Sequence, residues 1–276
     1  VVTSTQAIAG VSTSTRVSSR ALAGWHLLSL DAPTVAAVWT WFVARASGVR
    51  LPWESIAAMF CAVWVLYAAD RLLDARGTVG LEARHLFHRE HGRGFRWGIA
   101  AACVALALLL PRMSGAAVRM DVGLGALLVG WFVVIHSGEK PLPKEFVVGI
   151  FFAAAVFVPT AARRPELRAE LVLPAALFGA VCCLNCLFIF AWEHEGIAMP
   201  VGHGFTVTAS RWAAWLGVGL AIGCLADGGN LVVRAAGLGA GLLVVVHLAR
   251  KRIERTTLRA FADLVLLTPL LLGWWM

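Results

Sequence analysis

Charge is scarce in this sequence: 14% of its residues are charged, against 59% that are hydrophobic. That ratio excludes an ordinary soluble domain, which needs more polar surface to face water. Long polar runs are missing as well. The two longest polar insertions, 76–96 and 193–211, are too short to fold as a separate soluble domain. The first twenty residues, "VVTSTQAIAGVSTSTRVSSR", contain no apolar h-region, which argues against a signal peptide there. They read instead as a flexible cytoplasmic tail, with 21–276 a single transmembrane helical domain. Cysteine is sparse, and all six residues fall within or beside apolar segments. The C-x-x-C at Cys183 and Cys186 is therefore read as packing rather than as a redox or metal motif.

What is present is a succession of apolar segments. A bilayer core needs about 20 apolar residues per helical crossing. By that measure nine spans are expected, at 31–48, 54–72, 94–111, 119–136, 145–162, 171–191, 211–226, 230–248 and 259–276. The expected fold is thus all-α, a polytopic membrane bundle of about nine helices. With the N-terminus inside, 16 of the 24 Lys and Arg residues fall in inner segments and 8 in outer ones. The positive-inside rule then places the N-terminus in the cytoplasm, and the expected location is a bacterial inner membrane. The net charge of +8 is spread over several loops. It reads as a topology signal and an attraction to anionic membrane lipid, not as a nucleic-acid site. No protein partner is evident.

The stretch "LYAADRLLDARG" carries the chemistry of the second span. Asp70 and Asp74 stand four residues apart, which puts both carboxylates on one helical face at the helix C-terminus. Like charges repel at that spacing, and the helix dipole disfavours anions there. A divalent cation reverses both effects, and Mg²⁺ characteristically takes one or two carboxylates together with phosphate oxygens. The alternative is a pair of charges marking where the helix leaves lipid, neutralised by Arg71 and Arg76. The sixth span repeats the pattern. "LNCLFIFAWEHE" ends in Glu193 and Glu195, with Asn185 about two turns earlier; a polar residue in an apolar span faces the interior or a cavity. Lys140, Lys144 and Arg76, on the same predicted side, suit phosphate oxygens.

With these residues in view the chain resembles the UbiA superfamily of intramembrane prenyltransferases. That family has nine transmembrane helices and Asp-rich motifs after helices 2 and 6. "LYAADRLLD" is similar to the last part of the first motif, N-D-x-x-D-x-x-x-D, matching Asp70 and Asp74, and Arg71 fits a common choice there. "EKPLPKEFVVGIFFA" resembles the basic segment leading into helix 5, and "LNCLFIFAWEHE" lies where the second motif belongs. Leu66 and Tyr67 replace the first Asn and Asp of the pattern, and Asn185 stands where an Asp is often found. The resemblance implies Mg²⁺-dependent transfer of an isoprenoid group from a prenyl diphosphate to a lipophilic acceptor. Asp70, Asp74, Glu193 and Glu195 would hold metal; Arg71, Arg76, Lys140, Lys144 and Asn185 would hold the diphosphate. The rival expectation is a non-catalytic membrane protein or transporter that binds an isoprenoid or anionic lipid.

Other residues have two readings each. His85, His88 and His91 recur every third residue and suit either a transition metal or an interfacial basic segment. Asp31, just before Pro33, reads as a helix N-cap or as a polar contact in the central cavity. Trp39, Trp41, Trp131 and Trp192 read as membrane belt or packing, or as cavity walls facing an allylic cation. The CDP-alcohol phosphotransferase pattern is excluded, because no aspartate follows Asp74 at the spacing it requires.

Overall fold

The computed structural model describes residues 21–76, 83–137, 144–196, 204–227 and 229–273, with no side-chain description for 83–85 and 131–137. The expected tail at 1–20 and Lys140 lie outside the described residues, as do the side chains of His85 and Trp131.

Among the described residues the chain is all-helical. A short helix, α1 (Ala21–Leu27), turns through 89° into α2 (Asp31–Ala46). There follow α3 (Trp53–Asp74), the short α4 (Ala83–Glu90), α5 (Gly92–Leu109), α6 (Gly115–Ser137) and α7 (Lys144–Arg163). The second half comprises α8 (Arg168–Glu193), α9 (Gly204–Ala226), α10 (Leu231–Ala249), α11 (Arg255–Leu264) and α12 (Pro269–Leu272). Among the described residues, six helical segments are long and apolar enough to cross a membrane: Trp53–Asp74, Gly92–Arg112, Lys144–Arg163, Pro165–Glu193, Gly204–Ala226 and Leu231–Arg252. The bent α1–α2 pair makes a seventh if it is one broken span.

This is the architecture of a helical membrane protein, with fewer demonstrable crossings than the nine expected. The expected spans 31–48, 119–136 and 259–276 are not among the six, and the first and last of these have local causes. The first expected span is only 16 residues long in α2, about 24 Å at 1.5 Å per residue, short of a 30 Å core. The last breaks into α11, a 3₁₀ turn at Val265–Leu267, and α12 beginning at Pro269. Proline lacks the N–H that a continuing helix would use.

Lipid-facing surface is evident on several helices. Trp97, Leu108, Trp215 and Leu248 are each more than two-thirds exposed, which in water would be an aggregation surface. The core runs inward from α2, α7, α8 and α10, with Trp39, Phe42, Phe178, Phe188 and Leu243 fully buried. Trp39 stacks on Phe178 at 4.0 Å and donates its indole N–H to the Leu266 carbonyl. Trp192 is also buried, donating to His247 Nδ1. Both are therefore packing residues, not cavity walls. Small residues bring α7 and α8 together: a Cβ at Gly149 would lie 2.6 Å from Cys183 Sγ and 2.7 Å from its backbone nitrogen. All six cysteines are free.

Polar contacts tie alternate helix ends into one end of the bundle. Lys144 at the start of α7 meets Asp70 near the end of α3. Thr206 at the start of α9 donates to Glu145, and α11 contributes Arg259 to Glu193 at the end of α8. At the other end Arg112, after α5, faces Glu54 at the start of α3.

Candidate functional site

The charged end of the bundle contains two adjoining groups of residues. The first is organised around the corner between α1 and α2. Ser29 occupies that corner with φ +58°, a left-handed conformation that is uncommon for any residue with a side chain. Arg71, buried on α3, holds it in place. Its guanidinium donates to the His26 carbonyl at 2.6 Å, to Ser29 Oγ at 3.0 Å and to Asp31 Oδ2 at 3.3 Å. His26 Nδ1 lies 2.5 Å from the same Asp31 oxygen, and Asp31 Oδ1 accepts from the Ala32 N–H. Asp31 is completely buried. It is thus chiefly a partner of Arg71 and His26; the N-cap position belongs to Leu30.

Asp263 on α11 completes this group. One ligand atom each from His26, Asp31 and Asp263 lies within 4.8 Å of the others. Asn185 Nδ2 donates to Asp263 Oδ1 at 2.9 Å, while its own Oδ1 is buried with no hydrogen-bond partner. Asn185 therefore faces the interior, as a polar residue in an apolar span should, but its partner is a carboxylate rather than a diphosphate subsite. Arg71 likewise serves the corner and is buried among protein groups.

The second group contains the acidic helix ends. Asp70 is half-buried, with Lys144 Nζ at 3.5 Å from its Oδ1; that oxygen accepts no hydrogen bond. Asp74 and Arg76 are exposed one turn and more further on. Glu193 is paired with Arg259, and Glu195 with Arg250 at 3.3 Å. The structure thus joins Asp70 to Lys144, while each α8 glutamate is engaged by an arginine from the α10–α11 region. As a place for Mg²⁺, the α3 pair fits: a buried oxygen lacking a hydrogen bond sits beside a second, exposed carboxylate on the same helical face. Glu193 at the end of α8 offers the same feature, a buried Oε1 without a hydrogen bond beside a cation, here Arg259, whereas Glu195 is more exposed and engaged by Arg250.

Of the three histidines, the side chains of His88 and His91 are described, and these two do not act together. His88 is buried, hydrogen-bonded to Ser29 Oγ at 3.1 Å and stacked on Phe95 at 4.0 Å. His91, in the turn between α4 and α5, is exposed and contacts the Phe87 carbonyl of α4. His88 therefore latches α4 and α5 to the corner.

Between α7, α8 and α9 is an apolar cavity of about 1010 Å³, open on the side where Trp212 and Trp215 face the lipid. Phe146, Cys183, Leu184 and Leu187 lie among its walls, with Trp212 and Trp215 on the α9 side. Phe146 stands two residues after Lys144 on α7, so the cavity reaches the end of the bundle that holds the Asp70–Lys144 pair, with the two side chains on different faces of that helix. Ala175, Ala176, Gly179 and Ala180 on α8 leave the space open because their side chains are small or absent.

Sequence reasoning did not single out His26, Ser29, Arg250, Arg259 or Asp263. Asp263 carried a usable signal, an acid within an apolar segment expected to span lipid. The arginine partners carried none, because their pairing is set by tertiary packing across 55 and 66 positions. Fold and site together define a helical membrane protein with a charged end adjoining an apolar cavity. No protein-family model, curated protein or solved structure matches the chain.

Proposed function

We propose that the protein transfers an isoprenoid group from a prenyl diphosphate to a lipophilic acceptor within the membrane, in the manner of the UbiA superfamily. The observation that carries this reading is an apolar cavity of about 1010 Å³ that reaches, at Phe146, the end of the bundle holding the Asp70–Lys144 pair. A prenyl diphosphate has the matching form, a dense negative head on an apolar chain. The remaining crossings of a nine-helix bundle, and a cytoplasmic position for the charged end, belong to the same proposal.

Asp70 and Asp74 are the proposed ligands of Mg²⁺, and Lys144 and Arg76 face the diphosphate. When bound, the metal supplies compensation for negative charge that grows as the diphosphate departs. Lys144 moves from Asp70 to a phosphate oxygen, replacing one charged partner with another. The apolar walls align the chain and exclude water, so that an acceptor rather than water captures the allylic carbon.

A second reading is favoured by the pairing of Asp70, Glu193 and Glu195 with Lys144, Arg259 and Arg250. A site whose carboxylates are internally neutralised suits binding of an anionic isoprenoid lipid without catalysis. The two readings separate in one assay. Purified protein in lipid nanodiscs is given prenyl diphosphates of several chain lengths with a membrane-lipid extract, with and without Mg²⁺. Mg²⁺-dependent release of diphosphate is expected. Saturable donor binding without release under any condition selects the second reading.

A further inference from the structure

We propose that Asp31 and Asp263 bind one proton between them, forming a carboxylic acid–carboxylate pair that closes α11 onto the α1–α2 corner. One carboxylate oxygen of each lies within 4.8 Å of the other, in the cluster they form with His26, and two carboxylates that close repel unless one is protonated. Carboxylate oxygens are acceptors only, so a hydrogen bond between two carboxyl groups requires a proton on one of them. The surrounding bonds say which. Asp31 already receives Ala32 N–H on Oδ1, and His26 and Arg71 on Oδ2, the environment of an ionised carboxylate. Asp263 receives one neutral donor, Asn185 Nδ2, and is the acid.

Charge balance leads to the same place. The groups facing the pair include His26 on α1, Arg71 and Tyr67 on α3, and Cys182, Asn185 and Cys186 on α8. Arg259 on α11 also bears on the corner, and its charge is matched by Glu193. Two carboxylates and one guanidinium leave a single negative charge when His26 is neutral. One proton brings the group to zero, whereas a divalent ion overshoots to a net positive charge, and uncompensated buried charge is heavily penalised. Geometry also disfavours a metal. Ligand atoms on one ion at about 2.1 Å stand about 3 Å apart or more, while His26 Nδ1 and Asp31 Oδ2 are 2.5 Å apart. That spacing is a hydrogen bond.

The consequence is a proton-dependent latch. With the proton in place α11 is bonded to the corner; without it two negative charges confront each other and α11 is driven away. Infrared difference spectroscopy of the full chain in nanodiscs, treated with chelator at neutral pH, tests this directly. Wild type should show a protonated-carboxyl C=O band that moves to lower frequency in D₂O. Asp263→Asn should lack the band and stay folded, since its amide still donates to Asp31. Addition of Mg²⁺, Zn²⁺ or Na⁺ should leave the wild-type band in place. An identical spectrum from folded Asp263→Asn overturns the proposal, and so does displacement of the band by an added cation. If Asp263→Asn does not fold, Asp263→Glu serves instead, and an unmoved band in that variant overturns it equally. The readout is independent of turnover, so loss of the prenyl-transfer reading leaves it intact.

Discussion

Asp70 and Arg71 are neighbours in sequence, yet the structure gives them different tasks. Consecutive helical residues point about 100° apart, so they do not share a face. Asp70 turns toward Lys144 and Arg71 toward the corner at Ser29. The sequence expectation grouped them around one diphosphate, and the helical period already argued against that. Arg71→Met should destabilise the protein by about 3–5 kcal/mol, because it leaves Asp31 buried with its cationic partner removed; thermal unfolding in detergent measures this. Asp70→Asn should do the reverse. Its side chain is 31% exposed, and the Lys144 contact is a partly solvated one, so stability should change by less than about 1 kcal/mol. Mg²⁺-dependent diphosphate release, in contrast, should fall about 100-fold or more, the equivalent of ~3 kcal/mol of charge compensation. Unchanged release in Asp70→Asn would remove that carboxylate from the reaction.

Among elements, helix positions were legible where apolar runs were long, since a bilayer requires length and hydropathy together. The limits of α3, α7 and α8 lie close to the expected segments. The corner at Ser29 was not legible: a serine with positive φ is set by the bonds from Arg71 and His88, which come from α3 and α4. The helix break before Pro269 had a visible cause that the apolar run concealed. Close packing of α7 on α8 was readable only as a general abundance of small residues, not as a particular contact. Gly149 is that contact. A methyl group there meets Cys183 backbone as well as its sulfur, and backbone cannot swing aside. Gly149→Ala should therefore cost about 1–3 kcal/mol of stability. It should also move α7 relative to α8, changing the cavity those helices share. Thermal unfolding checks the first effect. A donor binding constant weakened in the folded variant checks the second, whereas Gly219→Ala, at a lining position with open space beside it, should leave stability within about 0.5 kcal/mol.

At the scale of the whole molecule, the arrangement of charge fixes which loops can cooperate. Lys144 with Asp70, Thr206 with Glu145, Asn185 with Asp263, and Arg250 with Glu195 join neighbouring segments at or near one end of the bundle. Arg112 with Glu54, and Arg164 with Glu166, lie at connections at the opposite end. The sequence assignment puts 16 of the 24 Lys and Arg residues in inner segments, and the proposed function takes the charged end as the cytoplasmic one on that basis. A diphosphate donor drawn from the cytoplasm would then enter beside Asp70, with its chain directed into the apolar cavity. Single cysteines test the arrangement in a background lacking the six native ones. Arg76→Cys and Lys251→Cys should react with a membrane-impermeant maleimide only after the cytoplasmic face is opened. Arg112→Cys and Arg164→Cys should react in intact cells. All four wild-type residues are exposed, so access rather than burial determines the result. Labelling of positions 76 and 251 from opposite faces would break the shared charged end, and with it the placement of a single amphiphile across Asp70 and the cavity. Labelling of both from outside would keep the site but reverse its orientation, requiring a donor delivered from the other side of the membrane.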